Sequence, residues 1–148
     1  MKIAAGSDHA GFRLKCELVQ YLQESGYQVL DVGTDSCESV DYPDYAKKVC
    51  DAIAGGEAEM GLLVCGTGVG MAMAANKCKG MRAASCNNEY MAEMSRSHNN
   101  ANILTLGARI ITPELAERIL DVFLVTEFEG GRHERRVNKI MQIEEKRR

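Results

Sequence analysis

Five times along this chain a short apolar run gives way to a longer stretch whose apolar residues recur at helical spacing. KIAA precedes FRLKCELVQYL, QVLDV precedes YAKKVCDAIA, GLLV precedes VGMAMAANK, RAAS precedes EYMAEMSRS, and NILTLG precedes PELAERILDVF. A helix of this length carries the chain back to the edge where its strand began, so the next strand runs parallel to the last, by a right-handed crossover. The pattern predicts a doubly wound, three-layer α/β sandwich around a five-stranded parallel sheet. Leu14, Leu18 and Leu22 line one face of the first helix, and Leu115, Ile119, Val122 and Phe123 line one face of the fifth. Thr112 before Pro113 is a start signal, because the hydroxyl can cap free amides and proline fits the first turn.

With 148 residues the chain fits one domain, 1–148, able to bury roughly two-thirds of its unfolded surface. No apolar run nears the roughly 18 residues of a membrane span, and MKIAAGSDHAG has no secretion-signal core, so the expectation is a cytoplasmic protein without a membrane partner. Six cysteines, at 16, 37, 50, 65, 78 and 86, form no CxxC and no Cys/His ligand spacing, which argues against a structural zinc site or a redox pair. The net charge of −3 disfavours nucleic acid as a partner, yet positive charge gathers in RHERRVNK. That segment belongs to a final helix, 131–148, which follows Gly130-Gly131 and carries Val137, Ile140 and Met141 as an apolar stripe. It can fold back on its own domain or lie across a second copy, and the second is the expectation.

Ligands of open parallel sheets lie beyond the carboxyl ends of strands, which draws attention to AGSDHAG, to CGTGVG from Cys65 to Gly70, and to SHNNAN from Ser97 to Asn102. Gly66, Gly68 and Gly70 permit a tight turn whose free amides favour an anion. The spacing is GxGxG rather than GxGxxG and no Lys-Ser/Thr follows, so nucleotide binding is the weaker reading. Cys65 sits where the positive end of the next helix favours thiolate over thiol. A thiolate beside a nest of amides can move a proton next to a carbonyl while the amides hold the enolate, although a buried cysteine is also ordinary core filling. His98 falls at the end of the fourth helix, whose negative pole supports an imidazolium proton donor, and Asn99 beside it offers a hydrogen bond; a polar helix cap is the plain alternative. Asp8 and His9 can cap the first helix or contact a sugar. Arg132 and Arg136, four apart, share a helix face and can clamp a phosphate or remain a solvated basic face.

The ordered set GSDHAG, DYPDYA, CGTGVGMAMAANK, RSHNNANILTLGAR and EGGRHERRV resembles the B-type ribose-5-phosphate isomerases, from Lys2 to about Ile143. The resemblance implies a Rossmann-like α/β/α homodimer with shared active sites, its assembly beyond a dimer left open, acting on a phosphosugar without metal or organic cofactor. It makes Cys65 the base that moves a proton between C1 and C2 through a cis-enediolate, and Gly66, Thr67, Gly68, Val69 and Gly70 the loop that holds that intermediate. His98 becomes the acid that opens the furanose ring, with Thr67 as helper; Asp8, His9 and Asn99 become sugar contacts. Arg109, Arg132 and Arg136 become phosphate ligands, with His98, Asn99 and Arg109 reaching the site from the neighbouring subunit. Some relatives carry a glutamate base at the position of Met71, so this chain is of the cysteine type. Related scaffolds act on galactose 6-phosphate, allose 6-phosphate or a tetrose phosphate, and a non-catalytic binding module is the reading from another class.

Overall fold

The computed structural model describes residues 1–146. Its elements in chain order are β1 (Lys2–Ser7), α1 (Phe12–Glu24), β2 (Gln28–Gly33), α2 (Tyr42–Ala54), β3 (Met60–Cys65), α3 (Val69–Ala75), β4 (Ala83–Ser85), α4 (Glu89–Ser97), β5 (Ile103–Gly107), α5 (Pro113–Val125) and α6 (Arg132–Lys146). The five strands are parallel and ordered β2-β1-β3-β5-β4.

That order decides which face each helix covers. The steps from β1 to β2 and from β4 to β5 travel one way across the sheet, and the steps from β2 to β3 and from β3 to β4 travel the other. Right-handed crossovers therefore put α1 and α4 on one face and α2 and α3 on the opposite one. Packing follows this rule. Leu14, Leu18 and Leu22 of α1, Ala92 of α4, and Ile119 and Phe123 of α5 meet Ile3, Ala5, Leu62, Val64, Leu104 and Leu106. Ala46, Val49 and Cys50 of α2, with Met71 and Ala75 of α3, meet Ala4, Leu63, Cys65 and Ile103. Strand residues alternate between the layers because successive side chains leave a strand on opposite faces. Each buried leucine or phenylalanine of these layers stabilises the fold by about 1.5–3 kcal/mol.

The helix starts have local causes. Thr112 Oγ1 accepts the Leu115 amide at 3.2 Å, and Asn88 Oδ1 accepts the Met91 amide at 2.8 Å. α2 begins at Tyr42, earlier than its apolar period indicates, because Pro43 suits a first turn. On α5 the residues Ile119 and Phe123 are buried as expected, Leu115 and Val122 are half-buried, and Ala116, Leu120 and Leu124 complete the face.

α6 turns in only His133 and Val137 and leaves Ile140 and Ile143 exposed. Its later turns lie along the β4 edge, where Glu144 accepts the Gly80 amide at 2.9 Å and Met141 sulfur accepts from Arg82 at 3.4 Å. A cavity of about 610 Å³ opens between them, lined by Met81, Ala83, Ala101, Ile140 and Ile143 among others. Among the described residues no helix is long and apolar enough to cross a membrane.

Candidate active site

β1 and β3 are neighbours, yet the helices that follow them, α1 and α3, leave to opposite faces. Such a switch point opens a crevice beyond the carboxyl ends of the two strands. The loops there are Asp8–Gly11 and Cys65–Gly70.

Cys65 ends β3, is 5% exposed, and its sulfur accepts the Gly68 amide at 3.2 Å. Gly68 has φ +83°, a left-handed conformation that glycine adopts without strain, and this turns its N–H back onto the sulfur. Thr105 of β5 donates its hydroxyl to the Gly68 carbonyl at 2.8 Å, so the turn is held from the neighbouring strand. The close approach is mutual. A Cβ added to Gly107 would stand 2.6 Å from the Thr67 backbone. The Val69 amide donates to Thr67 Oγ1 at 3.2 Å. The segment after β5 closes the loop from outside: the Ala108 amide donates to the Cys65 carbonyl at 2.8 Å, and the Arg109 amide to Gly66 at 3.0 Å. The Arg109 guanidinium lies beside Gly66, and the Tyr42 ring lies against Gly70.

Across the crevice Asp8 is 7% exposed and accepts the Gly11 amide at 3.0 Å. α1 starts only at Phe12, after Gly11, with no side-chain cap. Asp8 therefore orders its own loop instead of capping the helix. His9 Nδ1 accepts the Val40 amide at 3.1 Å, which leaves Nε2 as the donor of the neutral ring.

The remaining candidates lie elsewhere. α4 returns from the carboxyl end of β4 to the amino end of β5, and His98 is its C-cap. Asn102 accepts the Gly61 amide at the start of β3, which pins His98–Asn102 to the amino ends of the strands. Two guanidinium groups organise that loop. Arg82 donates to the Asn100 carbonyl at 2.8 Å; Arg96, 8% exposed, donates to the side chain of Asn100 and to the carbonyls of Ala101 and Thr126, over the Phe123 ring. Burial pulls the pKa of both arginines down from the ordinary range. The His98 ring stacks on His133 with centroids 4.0 Å apart and planes 11° apart, and its Nε2 stands 4.0 Å from the Glu129 carboxylate. Burial first, then the charges of His98 and Arg132, lowers the His133 pKa. Arg132 and Arg136 are exposed on the same helix as His133, and among the described residues neither joins a salt bridge.

The SHNNAN segment thus differs from its expected position. It follows the fourth helix, as expected of His98, and for that reason lies at the amino rim of the sheet and not among the carboxyl-end loops. Gly61 pairs with Ile103 at that rim and Cys65 with Gly107 at the other, four residue steps away, or about 13 Å of strand. One chain therefore carries two separate groups of candidate residues: Asp8, His9 and Cys65–Gly70 on the carboxyl rim, and His98, Asn99, Arg132 and Arg136 on the amino rim. Arg109, which the resemblance groups with His98 and Asn99, lies in its own chain with the first set. Three residues of these sets were not singled out from the sequence. His133 stands four before Val137 and so shares the apolar stripe, a signal masked by its basic neighbours. Glu129 and Tyr42 carried no local signal. Among the described residues, His98, Glu129 and His133 are the group whose possible ligand atoms lie within 4.8 Å of one another.

A family model described as Ribose/Galactose Isomerase matches residues 3–140. Ribose-5-phosphate isomerase B of Escherichia coli is 51% identical over 146 residues, covering 99% of this chain and 98% of that protein. The D-erythrulose-4-phosphate isomerase of Pectobacterium atrosepticum is 45% identical over 141 residues, 95% of this chain and 93% of that one. The solved structure of Clostridium thermocellum ribose-5-phosphate isomerase B superposes with a TM-score of 0.99 at 53% identity, covering 100% of both chains.

Proposed function

The chain belongs to the ribose/galactose isomerase family, and we propose that it interconverts D-ribose 5-phosphate and D-ribulose 5-phosphate. The observation that carries this reading is the Cys65 sulfur fixed by the Gly68 amide at the β1/β3 switch point. That hydrogen bond holds the sulfur in one place at the mouth of the crevice, where its thiolate form can act as the base. The Cys65 thiolate takes the proton from C2 of the open-chain aldose, leaving a cis-enediolate, and returns it to C1; the O2 proton passes to O1 as the ketone forms. Amides of the Gly66–Gly70 turn hold the enediolate charge and are already oriented before it develops.

Ring opening precedes that step. His98 gives a proton to the furanose ring oxygen as the C1 hydroxyl loses one, with Thr67 as helper. Asp8, His9 and Asn99 hold sugar hydroxyls. Arg132, Arg136 and Arg109 hold the phosphate by charge-assisted bonds worth about 1.5–3 kcal/mol each. The separation of the half-sites on opposite rims supports a homodimer in which His98, Asn99, Arg132 and Arg136 of one copy complete the Cys65 loop of the other. Arg109, leaning on Gly66, then acts from the same copy as Cys65. The exposed Ile140 and Ile143 of α6, with the cavity beside them, supply the apolar surface of that contact. The cytoplasm suits its thiols, which are all free.

Ketose formation by the purified protein without added metal tests the reading. Cys65→Ala is expected to lower turnover by about 10²–10⁴, the usual contribution of a general base; unchanged turnover refutes the role of Cys65. In heavy water the ketose should gain deuterium at C1, and tight binding without exchange would instead mark a non-catalytic module. The 45% identity to an erythrulose-phosphate isomerase favours a second reading, another phosphosugar on the same machinery. A comparison of kcat/KM across four-, five- and six-carbon sugar phosphates decides between them.

A further inference from the structure

The cluster on the amino rim holds more than ring opening requires. His98, Glu129 and His133 bring two imidazoles and a carboxylate together, the donor set of zinc sites that keep a fourth position open. We propose that these three residues bind a first-row divalent cation of the zinc type, and that the ion inhibits isomerisation by occupying the His98 nitrogen. The inhibitory half rests on the ring-opening role given to His98 above.

The geometry is close to that of a ligated ion but not contracted onto one. The ligand atoms lie within 4.8 Å of one another, and His98 Nε2 is 4.0 Å from Glu129. Tetrahedral bonds of about 2.0–2.1 Å need donors about 3.3 Å apart, so the set must draw in by roughly an ångström. The freedom to do so sits on the right residues. The His98 side chain is 38% exposed and Glu129 56% exposed, so both can swing, whereas His133 is buried and stays as the fixed ligand. The stacked rings must also part, because lone pairs of parallel imidazoles do not converge on one point. Against the cation stand Arg132 and Arg136, whose charges reach His133; the Glu129 carboxylate offsets one of them. The balance describes a site filled when the ion is in excess, not a resident structural ion. An ion on His98 takes the lone pair that would carry the proton to the ring oxygen.

Cobalt(II) added to the metal-stripped full-length protein is the probe. The expected result is the visible absorption of a four-coordinate ion, one equivalent per chain, displaced by zinc. It should be absent in His133→Gln and weakened roughly tenfold or more in Glu129→Gln. Zinc should inhibit the wild-type protein, reversibly with a chelator, while His133→Gln keeps its own metal-free rate at the same zinc concentration. A cobalt spectrum unchanged in both variants, or one dominated by thiolate charge transfer, overturns the site and puts the ion on a cysteine. Cobalt and zinc binding as expected with isomerisation unaffected keeps the site and overturns the ring-opening role of His98. Should His133→Gln fail to fold, Glu129→Gln, altered at an exposed side chain, carries the test.

Discussion

The two rims of the sheet are built from different materials. On the carboxyl rim the candidate groups are backbone amides and short side chains, packed so closely that Gly68 and Gly107 admit no Cβ without displacing backbone. On the amino rim they are long side chains, with Arg132 and Arg136 reaching into solvent from α6 and the loop below them tied by the buried Arg96. The difference matches the division of labour proposed above. Charge that develops during proton transfer needs donors already in place, which only a rigid backbone turn supplies at little reorganisation. Capture of a phosphate and delivery of a proton tolerate adjustable side chains.

The sharpest test of the division mixes chains. Cys65→Ala and His98→Asn proteins should each fall to about a hundredth of wild-type activity or less. Unfolded and refolded together in equal amounts, they should recover roughly a quarter, because half the dimers are mixed and each mixed dimer has one intact site. No recovery would mean that the rims do not meet between chains. Arg136→Ala comes next: kcat/KM should drop about 10–100-fold, chiefly through KM, with the melting temperature unchanged. Equal loss on unphosphorylated ribose would remove the clamp from the amino rim.

Gly107→Ala probes the rigid side. The added methyl would stand 2.6 Å from the Thr67 backbone, so denaturant titration should show a loss of about 1–3 kcal/mol, and activity should fall with it. A fully stable, fully active variant would show the carboxyl rim to be as adjustable as the other. The smallest effect is in pH. The folded His133 has a pKa below its ordinary 6.5, so the unfolded chain binds that proton more readily. Its contribution to stability is whole above 6.5 and is lost as the pH falls toward the depressed value. Denaturation midpoints at about pH 7.5 and about pH 5 should differ less in His133→Gln than in the wild type.

The layers were legible because helical and strand periods differ, and Thr112-Pro113 marks a boundary by its own chemistry. Strand order was not, since nothing local says that β5 inserts between β3 and β4. The Cys65 turn could be read because glycines at 66, 68 and 70 have few other uses. His133 and Glu129 could not, because their meaning lies in a contact with His98, brought about by α6 packing after a break at Gly130-Gly131. SHNNAN was grouped with the carboxyl-end loops although its place at the end of the fourth helix already sets it on the amino rim. A segment that ends a helix and one that ends a strand sit at opposite poles of a parallel sheet.

β5 touches both groups of candidate residues, since it begins beside Asn102 and lends Thr105 to the Gly68 turn. In the homodimer proposed above it acts as a gauge whose length sets how far the two copies slide past each other to register. Two residues inserted in β5 and β3 would leave every side chain on its proper layer, yet push the poles about 6.6 Å further apart. Fold and thermal resistance would survive such an insertion while the proposed shared sites fell out of alignment.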